Sequence, residues 1–115
     1  MESFRELQTW QEAMTLAEMV YKVTEQMPKE EAYGMRRQAR NASTSIPANI
    51  AEGYGRHHRG EYLQFLGIAS GSLTELETLL ELSVRLSLIK SADDELAQCA
   101  SVGRLLYRLR QSLRA

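Results

Sequence analysis

Apolar residues recur every three or four positions through four successive stretches of this chain. That rhythm constrains its fold more than any other feature. In the first stretch Leu7, Trp10, Met14, Ala17 and Tyr21 form one helical stripe, and Ala13, Leu16, Val20, Val23 and Met27 form a second beside it. Two adjoining stripes suit a helix that touches two neighbours, and Pro28 ends the segment because its ring disfavours helical geometry at the preceding residue. Glu30 and Glu31 then supply the negative charge favoured at a helix start, opening a second helix that runs to about Gly53.

The second helix contains a proline. Met35, Ala39, Ala42, Ile46 and Ile50 keep helical spacing on both sides of Pro47, which predicts a kinked helix rather than a loop. Ser43, Thr44 and Ser45 offer hydroxyls to absorb the lost backbone hydrogen bond. Small residues around Pro47 admit another backbone, and Asn49 and Glu52 are polar groups expected to hydrogen-bond across a helix or subunit boundary. Gly53 and Gly55 are expected to close the helix in the left-handed conformation, and a third helix begins near Glu61. Its stripe of Tyr62, Leu66, Ala69, Leu73, Leu76 and Leu80 outweighs a short period-two pattern over residues 82–88, for which no second strand exists. Ser91 followed by Asp93, Asp94 and Glu95 caps a fourth helix that turns Leu96, Cys99, Val102, Leu106, Leu109 and Leu113 inward.

Four helices with short turns predict an all-α, antiparallel up-down-up-down four-helix bundle, and 115 residues fit one domain spanning 1–115. The charged fraction of 25% and formal net charge of -1 exclude a global attraction to polyanions, so any such binding must be local. Cys99 is the lone cysteine, which excludes an internal disulfide and reads as a buried small hydrophobe. No run approaches the ~20 apolar residues of a membrane span, so a cytoplasmic protein with no membrane partner is expected.

Several strings go beyond periodicity: Leu7 to Trp10, Val20-Tyr21, Pro28 with Tyr33-Gly34, Ser45-Ile-Pro-Ala-Asn-Ile-Ala-Glu-Gly53 with Gly55-Arg56, and Phe65-Leu66 through Gly71-Ser-Leu73 with Glu75-Leu-Glu77. Together they resemble the bacterial four-helix-bundle family of the 23S rRNA intervening-sequence protein, over nearly the whole chain. The resemblance extends to the accessory protein of diversity-generating retroelements, which binds nucleic acid and a reverse transcriptase. It implies a ring-like homopentamer.

Charge supplies a functional expectation. Residues 36–59 carry Arg36, Arg37, Arg40, Arg56 and Arg59 against the single acid Glu52, with His57 and His58 among them. Arg104, Arg108, Arg110 and Arg114 follow the last acid, Glu95. In an antiparallel bundle the turn between the second and third helices shares an end with both chain termini, so that turn and the tail form one basic rim. Repeated around an oligomer, weak phosphate contacts at this rim would sum to useful RNA affinity, with Tyr54 as a base-stacking side chain. The competing expectation is that the arginines are solvated or paired with the acids of the first helix, Glu2, Glu6, Glu12, Glu18 and Glu25.

Other features read as packing. Gly67 and Gly71 have the spacing of close helix approach, and Trp10, Tyr21, Tyr62, Phe65 and Tyr107 fall at core-like positions. Leu79, Leu80, Leu82, Val84, Leu86, Leu88 and Ile89 surround more of the third helix than one core covers, an independent argument for self-association. His57, His58 and Glu61 are close in sequence but lack the paired Glu-x-x-His pattern of di-iron bundles, so no metal and no cofactor is expected. No nucleotide loop, activated nucleophile or carboxylate pair occurs, and Glu52 alone makes a poor catalyst, so no enzyme is expected. The reading is a homo-oligomeric scaffold for structured RNA; the alternative is a protein-interaction scaffold without nucleic-acid affinity.

Overall fold

The computed structural model describes residues 3–114 and contains four α-helices, with no strand among those residues. They are α1 (Gln8–Thr24), α2 (Met35–Tyr54), α3 (Arg59–Arg85) and α4 (Asp93–Arg114). Each backbone packs on two neighbours, α1 on α2 and α4, and α3 on α2 and α4, as in an antiparallel bundle 44 × 23 × 20 Å across. Glu2 lies outside the described residues.

On α1 the two sequence stripes part company. Ala13, Leu16, Val20 and Val23 are buried in the core, whereas Met14 and Tyr21 of the other stripe are 40% and 43% exposed. The helix stops at Thr24, ahead of Pro28, and a separate 3-10 turn at Lys29–Glu31 carries the two glutamates. From that turn Glu31 Oε1 accepts the N–H of Met35 at 3.0 Å, satisfying an open donor of α2. Gly34 makes this contact possible, because a Cβ there would lie 2.8 Å from the same oxygen.

Helix α2 continues through Pro47, which is buried. The hydroxyls of Ser43 and Thr44 donate to the carbonyls of Arg40 and Asn41 one turn upstream, at 2.8 and 3.2 Å. Within the protomer Asn49 does not reach another helix itself: its Nδ2 donates to the carbonyl and Oγ of Ser45, and Ser45 Oγ meets Ser72 Oγ of α3 at 2.8 Å.

The glycines act differently from the sequence expectation. No glycine has positive φ; the left-handed residue among those described is Ser87, at φ 60, after α3 ends. Gly53 lies inside α2 and serves close approach, since a Cβ there would come within 2.9 Å of Phe65 Cβ and 3.0 Å of Tyr62 Cδ1. The Gly67/Gly71 pair does not mediate tight packing within the bundle, because nothing lies within 4 Å of a Cβ at Gly71 and only Arg110 approaches one at Gly67. Tyr107 is 64% exposed rather than core. On α3, Leu79, Leu80 and Ile89 are buried while Leu82, Val84 and Leu86 are exposed, as the excess of apolar residues there foretold.

Candidate nucleic-acid interface

The antiparallel order brings the start of α1, the end of α2, the start of α3 and the end of α4 to one end of the bundle. Gly53 shapes this end by letting α2 settle against Tyr62 and Phe65. Tyr54 then stands edge-on to Tyr62, with ring centroids 6.2 Å apart, so it is half-buried. Burial, then the neighbouring Tyr54, raises the pKa of the Tyr62 phenol above its ordinary value and so disfavours the phenolate.

The basic side chains at this end fall into two groups. Arg56 is held: its Nη2 donates to Glu52 Oε2 at 3.0 Å, and its guanidinium lies 4.7 Å from the Phe65 ring centre. Arg110 is half-buried, its Nε enclosed without a hydrogen-bond partner among the described residues. By contrast His57, His58, Arg59 and Arg114 are exposed, and Arg59 and Arg114 have no ion pair or side-chain hydrogen bond among the described residues. Along the neighbouring α1–α4 surface, Arg104 and Arg108 flank a shallow depression with Gln8 and Glu12; Arg104 also donates to Ser101 Oγ at 3.2 Å.

Sequence reasoning missed Arg5 here. The topology returns it to the same end, where its guanidinium lies 4.6 Å from the Phe4 ring centre and donates to Ser3 Oγ. The signal was the capping box of Ser3 and Glu6, which closes the 3-10 turn Phe4–Glu6, and α1 holds that turn through Gln11 Nε2 donating to the Arg5 carbonyl and Trp10 set edge-on to Phe4.

The remaining arginines belong to the opposite end, about 30 Å away along the 20 residues of α2. Arg36 Nη2 donates to the Met27 carbonyl at 2.7 Å. Arg40 donates to Thr24 Oγ1, to the Tyr21 carbonyl and to Glu25 Oε1, and stacks 4.5 Å from the Tyr21 ring centre. The Arg40 guanidinium holds the Glu25 carboxyl below its ordinary value, chiefly through the hydrogen bond and then its charge. Arg37 is exposed and stacks on Tyr33. The structure therefore separates Arg36, Arg37 and Arg40 from the 56–59 turn; Arg40 fastens α1 to α2, and Arg36 ties α2 to the segment that follows α1.

A second surface lies along α1 and α2. Trp10, Met14, Ala17 and Tyr21 face Pro47, Ala48 and Ala51 across an open apolar groove of about 570 Å³, with Glu18 and Lys22 at its edge. Pro47 and the small residues beside it thus shape an outward-facing surface. Among the described residues no helix is long and apolar enough to cross a membrane, and no three His, Cys, Asp or Glu side chains are grouped to hold a metal ion.

No curated protein sequence matches this chain. The family model described as 23S rRNA-intervening sequence protein matches residues 5–108, which include all four helices up to the last turns of α4, the Pro47 groove and the basic turn. With that coverage, and with the bundle that the strings around Pro47 implied, the chain belongs to the 23S rRNA-intervening sequence protein family.

Proposed function

We propose that this protein is a non-enzymatic, homo-oligomeric helical scaffold that binds structured RNA through the basic end of the bundle. The observation that carries this reading is the exposure at one end of Arg59, Arg114, His57 and His58, with Arg5 beside them. Side chains already spent on internal contacts, such as Arg40, contribute to the fold instead. The family's description, which refers to a sequence intervening in 23S rRNA, supports RNA as the polyanion and a cytoplasmic setting. Arginine and backbone phosphate supply affinity without base readout, so recognition follows RNA shape and charge rather than sequence. Self-association multiplies these contacts, in keeping with the homopentamer and the link to the retroelement accessory protein that the resemblance implies. The apolar groove favours a second reading, a scaffold for a protein partner without RNA affinity.

Fluorescence anisotropy of a labelled structured RNA across a salt series separates the two. The wild-type protein is expected to lose affinity steeply with salt, with a log-log slope of about 0.7 to 0.9 per neutralised phosphate. Arg5→Ala/Arg59→Ala/Arg114→Ala, which removes no ion pair within the bundle, should bind at least ~10-fold more weakly and with a shallower slope. Absence of wild-type binding at low salt would leave the protein-scaffold reading in its place.

A further inference from the structure

We propose that the α1–α2 groove seats the outward face of α3 from a second copy of this chain, registered by an ion pair between Lys22 of one protomer and Glu75 of the next. The inference rests on the self-association in the function proposed above and is independent of RNA binding. The groove is apolar and open, and its walls at Met14 and Tyr21 are 40% and 43% exposed. A face of matching character lies on the opposite side of the same molecule. On α3, Ile68, Gly71, Glu75, Thr78 and Leu82 follow 3-4 spacing, all exposed, with Ile68 and Leu82 at 47% and 40%. Its centre is Gly71, where the backbone stands open, and the groove floor is built from Pro47, Ala48 and Ala51. Small residues on both sides allow two helices to approach at the close end of the ~8–10 Å packing range.

Register supplies the argument for a second copy as the occupant. The Ser45–Ser72 hydrogen bond and the contact of Gly53 with Phe65 place Pro47 of α2 level with about Ser70 of α3. Across the groove, α2 positions 44–51 face α1 positions 10–21, which places Pro47 level with about Ala17. Helices α1 and α3 run in the same direction, so equal steps along each stay level. Five residues beyond Ala17 is Lys22, and five beyond Ser70 is Glu75. Two copies side by side and pointing the same way, with no shift along the bundle axis, therefore bring the cation at the groove edge to the acid of the α3 face. The same placement sets Ile68 and Gly71 over Ala17 and Pro47. Both charges are exposed and neither has an ion pair or side-chain hydrogen bond among the described residues. Groove and ridge are different surfaces, so the contact is head-to-tail, and protomers added this way all present their basic ends on one side.

The test is the solution mass of the intact chain by light scattering, with helicity checked by circular dichroism. Lys22→Glu and Glu75→Lys each place like charges together and should weaken association by at least ~10-fold; the double variant should restore it. Ala48→Arg, at an exposed groove position, should leave a folded single protomer. If the wild type assembles and all four variants keep its mass, this pairing is overturned while self-association stands. A wild type that remains one protomer overturns both.

Discussion

Cys99 shows how burial governs chemistry at a single position. Enclosure by the core, with smaller contributions from the charges of Glu77 and Glu95, pushes its thiol up to about 12. The thiol is therefore protonated throughout the neutral range, and the thiolate is the reactive form. A colourimetric thiol reagent at pH 8 is expected to leave native protein unmodified and to titrate one thiol per chain in denaturant. Gly53 makes the complementary point about space. Gly53→Ala improves helix propensity, yet its methyl would meet Phe65 Cβ at 2.9 Å, so a net destabilisation of about 1–3 kcal/mol is expected in urea unfolding. The sequence showed that the position needed glycine but not the reason. Turn-closing glycine and close-approach glycine leave the same letter, and only the neighbouring helix tells them apart.

Among the elements, the α1–α2 corner depends on Arg40. Arg40→Ala removes hydrogen bonds to Thr24, Tyr21 and Glu25 together, and should cost about 1–3 kcal/mol by thermal or urea unfolding. Arg40→Lys should recover little, because an ammonium cannot reproduce the fork or the stacking on Tyr21. The pH dependence has a definite sign. The folded protein holds Glu25 below its ordinary value, so the stabilisation is complete above the unfolded value near 4.5 and is lost as pH falls through the lower folded one. Unfolding midpoints of wild type and Glu25→Gln should therefore differ at pH 7 and converge in acid. Sequence periodicity located all four helices, but on α1 it offered two equally regular stripes. Choosing the core stripe required knowing that α2 and α4 approach from the side of Ala13, Leu16 and Val20. The other stripe, with Trp10 and Tyr21, became a groove wall that no single-helix pattern distinguishes from core.

For the whole molecule, the core joins all four helices through residues with no exposure, among them Leu16, Ile46, Leu80 and Val102. Leu80→Ala should cost about 2–5 kcal/mol in urea unfolding, enough to threaten a domain of this size. Topology was legible because loop lengths and helix count left few alternatives. The basic end was legible in part: counting ends placed Arg56–Arg59 beside the tail, but no count foresaw that Arg56 would be held by Glu52 and Phe65. The bundle is fastened shut between its first and last helices, where Gln98 Nε2 donates to the carbonyl and Oε1 of Glu12 across 86 positions of sequence. A chain emerging from the ribosome can assemble the α1–α2–α3 side early, but the inner face of α1 keeps one flank open to water until Gln98 has left the exit tunnel. Synthesis of the fourth helix thus sets the earliest moment at which the protein completes its fold.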